Sequence, residues 1–257
     1  MLTIIYVNFV DHGFLIFFNL TGDMSPHSYP DDSFAVNEHT TLDELCLTKF
    51  YVTKLLFQQL VETFPDTQWA YAIGNNDHFP KNVYWQPYIN MLGKMLLDIG
   101  FFRQQQYEQF VSFGCSFVDV EGVRYLSINM NLFIPKGEFI APGGTSVVPR
   151  MLLWLKESLR KAEEFDIPVY IVGHQPLSTR FGFDEMDIHG DYFLQFKQIL
   201  EQYSSIIRVG LFGHNNVENL IQVLGPPPRL QPIFPAIVAT GVSPRAPNQP
   251  SYTVLFK

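Results

Sequence analysis

The sequence contains 257 residues, 47% of them hydrophobic and only 16% charged, so it can bury a large core and is not a disordered chain. A formal net charge of −8 argues against the broad electropositive surface that duplex nucleic acid requires. The two cysteines, Cys46 and Cys115, exclude a disulfide scaffold and lack zinc-site spacing, which predicts buried thiols or, as the alternative, one bridge. These properties predict a single domain over residues 1–257.

The beginning of the chain, residues 1–20, is apolar in places, but Asp11 and His12 interrupt it and no Lys or Arg precedes it. This pattern predicts neither a clear signal peptide nor a transmembrane segment. Residues 19–21 match a glycosylation sequon, yet they lie in an apolar run, so we expect Asn19 to be buried.

The predicted elements alternate between strand and helix along the chain. The first half contains a strand at residues 15–20, a helix from Thr41 to just before Pro65, a strand at residues 69–73, a helix at residues 85–98, and two strands within residues 110–131. The second half contains a helix at residues 149–164, a strand at residues 169–172, a helix at residues 191–203, a strand at residues 207–212, and tail strands at residues 220–224, 236–239 and 251–256. This order predicts an α/β sandwich rather than a doubly wound sheet.

Four of the predicted strands each end in a glycine that is followed by a residue able to bind a metal. The four following residues are Asp23, Asn75, His174 and His214. Each alone is more typical of an ordinary turn, but four such endings in one chain are a much stronger signal. Because the carboxyl ends of neighbouring strands meet in one crevice, we expect these side chains to converge. A carboxylate, an amide oxygen and two imidazoles suit zinc, manganese or iron and bind magnesium poorly.

The ordered series of these motifs resembles the calcineurin-like metallophosphoesterases over nearly the whole chain. Within that superfamily the sequence is most similar to the acid sphingomyelinase and endopolyphosphatase branch. The residues that carry this resemblance are 22–27 (GDMSPH), 126–131 (LSINMN), 173–176 (GHQP), 243–244 (SP) and 252–254 (YTV). Residues 74–77 (GNND) with Pro80 and Asn82, and also Asn216, resemble the endopolyphosphatases specifically.

The resemblance implies a four-layer α/β/β/α sandwich with one or two divalent ions, zinc, manganese or iron, at one edge. The second metal would have the ligands Asp23, Asn75, His174 and His214, with Asp23 bridging to the first. Water activated by the metals would attack phosphorus in line. Two catalytic residues are also implied: His27 would protonate the leaving oxygen, and Asn76, where many relatives have a histidine, would hydrogen-bond to the transition state.

The sequence departs from the family at the ligands of the first metal. The family's opening Asp-x-His is absent before Asp23, and Asp11 and His12 are adjacent, so on a strand they would point to opposite faces. The family's second histidine after His214 is replaced by Asn216, whose amide oxygen is a weaker ligand for zinc. We therefore expect a first-metal site with Asp23, Asn216 and little else.

Three hypotheses follow from this mixture of matches and departures. The first is an active metallophosphoesterase that hydrolyses phosphoric ester or phosphoanhydride bonds. The second is a degenerate relative that binds a phosphorylated ligand or a protein partner with little or no turnover. The third is an N-terminally incomplete version of an active enzyme, whose Asp-x-His strand would lie upstream.

The expected substrate is a phosphorylated small molecule, polyphosphate or a phospholipid. Polyphosphate would use the cations near the motifs, which are Lys81, Lys136, Arg180 and Arg245. A phospholipid would use an apolar rim formed by Phe181, Phe183 and Met186. The endopolyphosphatase-like Asn76 and Asn216 favour polyphosphate. The resemblance also implies a lysosomal, vacuolar or secreted location.

Overall fold

The computed structural model describes residues 4–8, 17–25, 42–133, 147–177, 190–241 and 253–256. The strands are β1 (Ile4–Asn8), β2 (Phe17–Leu20), β3 (Gln68–Tyr71), β4 (Ser116–Val120), β5 (Val123–Ile128), β6 (Val169–Gly173), β7 (Ile207–Phe212), β8 (Asn219–Leu224), β9 (Pro232–Val238) and β10 (Thr253–Phe256). The helices are α1 (Leu42–Thr63), α2 (Gln86–Asp98), α3 (Gln104–Phe113), α4 (Val147–Glu164) and α5 (Gly190–Gln202). Short 3₁₀ helices span Asn75–Asp77 and Met130–Phe133.

The strands form two sheets whose parallel strands direct their carboxyl ends toward the candidate site. The four-stranded sheet has the order β10-β1-β2-β3, and the six-stranded sheet has the order β4-β5-β6-β7-β9-β8. In the first sheet β2 is parallel to β3, and in the second β5, β6 and β7 are mutually parallel. The loops after β2 and β3 therefore leave one sheet side by side, as do the loops after β6 and β7 in the other.

Alternate side chains of the strands face either the opposite sheet or the helices. The cluster between the sheets contains Ala70 of β3 together with Val118, Val120, Val123, Tyr125, Val172 and Leu211 of the six-stranded sheet. The intervening residues, such as Tyr71 of β3 and Leu126 of β5, pack in a larger core with the helices. This arrangement confirms the predicted α/β/β/α sandwich.

Aromatic side chains fill much of the helix-facing core. Tyr71 of β3 packs with its ring centroid 5.1 Å from that of Phe57 in α1 and 6.1 Å from that of Phe110 in α3. The helices on the two sides of the sandwich meet where Phe113 lies 6.1 Å from Trp154 of α4. The many aromatic side chains thus pack the helices against the sheets and against each other.

One predicted element is wrong at its start. The apolar residues from Phe110 onward were expected to open a strand, but residues 110–113 form the last turn of α3. The helix begins where the backbone N–H of Arg103 donates to the side chain of Gln106 at 3.2 Å, and it ends at Gly114, whose φ is 72°. Glycine adopts this left-handed conformation without strain, so Gly114 ends the helix and allows β4 to begin at Ser116.

The N-terminal strand β1 was not predicted, and its direction matters for the metal site. It pairs with β2 antiparallel, with Ile4 opposite Leu20 and Val7 opposite Phe17. Its carboxyl end at Asn8 therefore lies at the sheet edge opposite the one that Asp23 follows. No residue of β1 is an Asp or a His, so this strand does not supply the family's Asp-x-His.

Several smaller expectations are also resolved by the structure. Cys46 and Cys115 are buried free thiols, so the alternative of a bridge is wrong. Asn19 has no exposed surface, as expected for a sequon inside a buried strand. Among the described residues, no helix is long and apolar enough to cross a bilayer.

Candidate metal centre

The four predicted metal-binding residues lie together where the two sheets meet. Asp23 follows β2, Asn75 follows β3, His174 follows β6 and His214 follows β7. The His174 Nε2 atom is 2.9 Å from Asn75 Oδ1, 3.1 Å from Asp23 Oδ1 and 3.1 Å from His214 Nδ1. The predicted convergence of these four side chains is therefore present, and two come from each sheet.

Two glycines allow the loops after β2 and β3 to lie in contact. A Cβ atom on Gly74 would be 2.2 Å from the Asp23 backbone nitrogen and 2.4 Å from Asp23 Oδ1. A Cβ atom on Gly22 would be 2.5 Å from the Gly74 nitrogen. Both distances are far inside van der Waals contact, so the glycine before each ligand is required for the two loops to approach each other.

Three residues of the site adopt the left-handed backbone region. The φ angles are 57° at Asp23, 69° at His214 and 59° at Asn216. Asp, Asn and His tolerate this region better than most residues, but each still costs roughly 1–3 kcal/mol of backbone strain. Such strain at a cluster of polar side chains is typical of a functional site that the surrounding fold holds in place.

The hydrogen bond at the far side of the His174 ring fixes which nitrogen faces the cluster. Nδ1–H donates to the backbone oxygen of Thr21 at 2.5 Å, which leaves the Nε2 lone pair directed at the other three side chains. His174 Nε2 then faces the oxygens of Asn75 and Asp23 and the Nδ1 atom of His214. A cation at the centre, either a proton or a metal ion, would hold these atoms together.

The electrostatics of Asp23 and His174 match this requirement. Burial disfavours charge on both groups, but the interaction between them is stronger. The nearby His174 lowers the pKa of the Asp23 carboxyl well below its ordinary value, and Asp23 raises the pKa of His174. Each of the two groups thus favours the charged form of the other.

The geometry of the cluster fits a divalent ion after a small outward movement. Ligand atoms around a tetrahedral zinc ion, with bonds of about 2.0–2.1 Å, lie ~3.3 Å from one another. The three distances from His174 Nε2 are 2.9–3.1 Å, and one donor atom each from Asp23, His174 and His214 lie within 4.8 Å of one another. Among the described residues, these three form the one group of His, Cys, Asp or Glu side chains able to hold a metal ion.

The other predicted site residues have different placements. The Asn76 side chain is 1% exposed, and its Nδ2 donates to Asp23 Oδ2 at 2.7 Å, so it contacts a metal ligand rather than open solvent. Asn216 is half-buried two residues after His214, and its role as a ligand stays a prediction. His27 lies outside the described residues, as do Asp11 and His12.

A carboxylate that was not predicted to have a role, Asp77, ties the two ligand loops together. It accepts hydrogen bonds from the backbone N–H of Ser25 at 2.8 Å, from that of Gly74 at 2.9 Å and from the Tyr71 hydroxyl at 2.9 Å. Ser25 belongs to the Asp23 loop and Gly74 to the Asn75 loop, so one buried carboxylate fixes both. Its position in the motif GNND was a signal that could have identified it.

Helix α1 contacts the loops after β2 and β3 through two buried side chains. The Thr53 hydroxyl lies 2.8 Å from the Ser25 hydroxyl, and the fully buried Lys49 donates from Nζ to the His78 carbonyl oxygen. On a helix these two residues share a face because they are four apart. Nothing in the sequence distinguished them from ordinary surface residues of an amphipathic helix.

Buried amides join the loops after β3, β5 and β6. Gln175 Nε2 donates to Asn131 Oδ1 at 2.9 Å, and Asn131 Nδ2 donates to the Ile73 carbonyl oxygen at 3.4 Å. Asn131 belongs to the segment LSINMN, which carried the resemblance without a stated role. The structure indicates that this segment links the two ligand loops, because Gln175 directly follows His174 and Ile73 lies two residues before Asn75.

Comparison with known proteins agrees with the branch that these motifs indicate. No family model matches the chain. It is 24% identical over 243 residues to sphingomyelinase phosphodiesterase D of Dictyostelium discoideum, covering 90% of this chain and 50% of that protein. It is 24% identical over 218 residues to acid sphingomyelinase-like phosphodiesterase 3b of Mus musculus, covering 77% of this chain and 42% of that protein. It is 27% identical over 161 residues to the endopolyphosphatase of Kluyveromyces lactis, covering 60% of this chain and 22% of that protein.

This chain is a homologue of the acid sphingomyelinase-like phosphodiesterases and endopolyphosphatases. The predicted resemblance is confirmed at this level. This chain spans half or less of the length of each of the three relatives. Among solved structures, it resembles a dimetal phosphatase from Danio rerio with a TM-score of 0.49 and 10% identity, over 77% of this chain and 67% of that one.

Proposed function

We propose that this chain is a metal-dependent hydrolase of phosphoric ester or phosphoanhydride bonds. The observation that carries the proposal is the convergence on His174 Nε2 of donor atoms from Asn75, Asp23 and His214, at 2.9–3.1 Å. The relatives that are named as phosphodiesterases and as an endopolyphosphatase support the same reaction class. The domain is proposed to extend over residues 1–257.

The proposed roles follow from the geometry of these side chains. Asp23, Asn75, His174 and His214 would hold a divalent ion, and Thr21 would orient the His174 ring through its carbonyl oxygen. Such an ion lowers the pKa of water and stabilises negative charge on phosphoryl oxygens. His27 is proposed to supply a proton to the leaving oxygen, a role that suits the near-neutral pKa of imidazole.

The experiment is hydrolysis of bis(4-nitrophenyl) phosphate and of long-chain polyphosphate with added Mn²⁺, Zn²⁺ or Mg²⁺, and with a chelator. We expect turnover that depends on the metal. Asp23→Asn and His214→Ala should each reduce it by more than the roughly 100-fold that loss of an outer-shell partner causes. Asp66→Asn makes the same chemical change at an exposed position and should leave the rate unchanged.

The outcome also separates the active enzyme from the degenerate relative. Turnover that is equal in the wild type, Asp23→Asn and His214→Ala would sink the proposal. Metal binding without turnover would favour a relative that binds a phosphorylated ligand. The substrate that is turned over faster would distinguish the polyphosphate alternative, favoured by Asn76 and Asn216, from the phospholipid-like diester.

A further inference from the structure

Both carboxylate oxygens of Asp23 lie within hydrogen-bonding distance of protein nitrogen atoms. Oδ1 accepts a hydrogen bond from the Asn76 backbone N–H at 3.0 Å and faces His174 Nε2 at 3.1 Å. Oδ2 accepts from Asn76 Nδ2 at 2.7 Å. A carboxylate has about four lone-pair positions, so three of those on Asp23 are committed before any second ion is considered.

The orientation of the Asn76 side chain is set by this contact with Asp23. If the amide were turned over, Asn76 Oδ1 would face Asp23 Oδ2 at the distance of 2.7 Å now spanned by the N–H···O bond. The present orientation leaves Asn76 Oδ1 buried without a hydrogen-bond partner among the described residues. An orphaned buried oxygen is destabilising, and the charge-assisted bond to Asp23 offsets this cost.

The described residues offer few further ligands for a second ion at Asp23 Oδ2. The three-residue group of Asp23, His174 and His214 is the one His, Cys, Asp or Glu cluster in the part of the chain that the structure describes. Strand β1, which lies beside β2, carries neither an Asp nor a His. The predicted ligand Asn216 would add only a neutral amide oxygen, which binds zinc weakly. An ion on Oδ2 would therefore have to displace the Asn76 amide and would gain only weak ligands from the described residues in return.

We infer that this site holds a single divalent ion, and that Asn76 is a positioning residue that presents Asp23 Oδ1 to that ion while its amide occupies Oδ2. The inference rests on the proposed function, because it concerns the same metal centre. It replaces the predicted contact between Asn76 and the transition state with a hydrogen bond to a ligand. A hydrogen-bonded outer-shell group of this kind typically changes metal affinity by 10–100-fold when it is removed.

The test is the number of ions bound by the whole chain. Metal-free protein is titrated with Mn²⁺ and with Zn²⁺ by isothermal calorimetry, and the dialysed product is analysed for metal by mass spectrometry. The inference expects one ion per chain. Two ions per chain would overturn it and leave the proposed hydrolase intact, whereas no bound ion would overturn both.

The role of Asn76 is tested by affinity rather than by activity. Asn76→Ala should still bind one Mn²⁺ but with a dissociation constant raised about 10–100-fold. The matched control is Gln106→Ala, which removes another buried amide. Gln106 Nε2 donates to the Trp69 carbonyl oxygen at 2.9 Å and makes no contact with the four candidate ligands in the described hydrogen bonds. A dissociation constant in Asn76→Ala that equals those of the control and the wild type would overturn the positioning role. If Asn76→Ala fails to fold, the ion count of the wild type still decides the inference.

Discussion

At the scale of single residues, a second buried histidine lies in the loop after β3, three residues beyond Asn75. His78 has no exposed surface, and its Nδ1–H donates to the Val83 carbonyl oxygen at 3.0 Å. Burial outweighs the hydrogen bond to Asn129 and lowers the pKa of His78 from 6.5 to about 4. The backbone of the same residue is held by Lys49, whose Nζ donates to the His78 carbonyl oxygen.

The lowered pKa predicts how stability depends on pH. Between pH 6.5 and 4 the unfolded chain binds a proton at His78 and the native chain does not, so stability present above pH 6.5 is lost as the pH falls. The full loss from this group is ~3 kcal/mol. His78→Gln removes the titration, so its free energy of unfolding should fall by roughly 2 kcal/mol less than that of the wild type between pH 7 and pH 4.5. Urea unfolding in chelator measures this difference, and equal losses in the two proteins would contradict it.

The convergence of the four candidate ligands was predictable from sequence, whereas their supporting contacts were not. Asp23, Asn75, His174 and His214 were predicted because each follows a glycine at the end of a strand. The contact between Asn76 and Asp23 depends on the rotamer of a side chain in another loop, which no spacing in the sequence encodes. The same is true of Asp77, since its partners at Ser25 and Tyr71 are brought together only by the fold.

At the scale of secondary-structure elements, two glycines control how β2 and β3 end. Gly74 has an ordinary φ of −85°, so replacing it with alanine introduces a steric clash and no backbone strain. The new Cβ would lie 2.2 Å from the Asp23 nitrogen, and the two loops would have to separate. The sequence predicted where the two strands end and that a glycine follows each, but it did not predict the close contact between the two loops.

Gly74→Ala should therefore damage both folding and metal binding. Overpacking of this kind costs about 1–3 kcal/mol, and separation of the loops should weaken Mn²⁺ binding as well. Gly225→Ala is the matched control, because the nearest atom to its new Cβ would be the carboxylate end of Glu201, a flexible side chain, at 3.1 Å, and the Gln231 backbone oxygen would lie at an ordinary contact distance of 3.5 Å. Chemical denaturation and calorimetric titration measure the two effects. Equal stability and affinity in both variants would show that the loops can adjust.

Other elements show where sequence patterns are ambiguous. Residues 110–113 are apolar apart from Ser112 and precede a strand, so they read equally well as strand or helix, and the position of Gly114 decided in favour of α3. Strand β7 was predicted with its observed ends, because Ile207–Phe212 is apolar apart from Arg208 and Gly210 and stops at Gly213. Hydrophobic patterns thus identified the buried strands, but they failed at the junction where the short helix α3 leads directly into β4.

At the scale of the whole molecule, the candidate centre lies between two sheets that otherwise meet through hydrophobic side chains such as Ala70, Val172 and Tyr125. Asp23 and Asn75 belong to the four-stranded sheet, and His174 and His214 belong to the six-stranded sheet. The sequence indicated the class of fold but not this division, since strand order is set by pairings between distant segments. An ion bound to all four residues would cross-link the sandwich at the edge where Asp23, His214 and Asn216 adopt left-handed backbone angles.

This arrangement predicts that metal binding stabilises the entire fold. A ligand at 100 times its dissociation constant adds about 2.7 kcal/mol, because it binds the native state and the unfolded chain offers no assembled site. For a chain of this size that corresponds to a rise in melting temperature of roughly 5–10 °C. Calorimetric scans with Mn²⁺ and with chelator measure the rise. In His174→Ala the two scans should coincide, because the residue that contacts all three other ligands is gone; a rise of the same size in that variant would place the stabilising ion elsewhere in the protein.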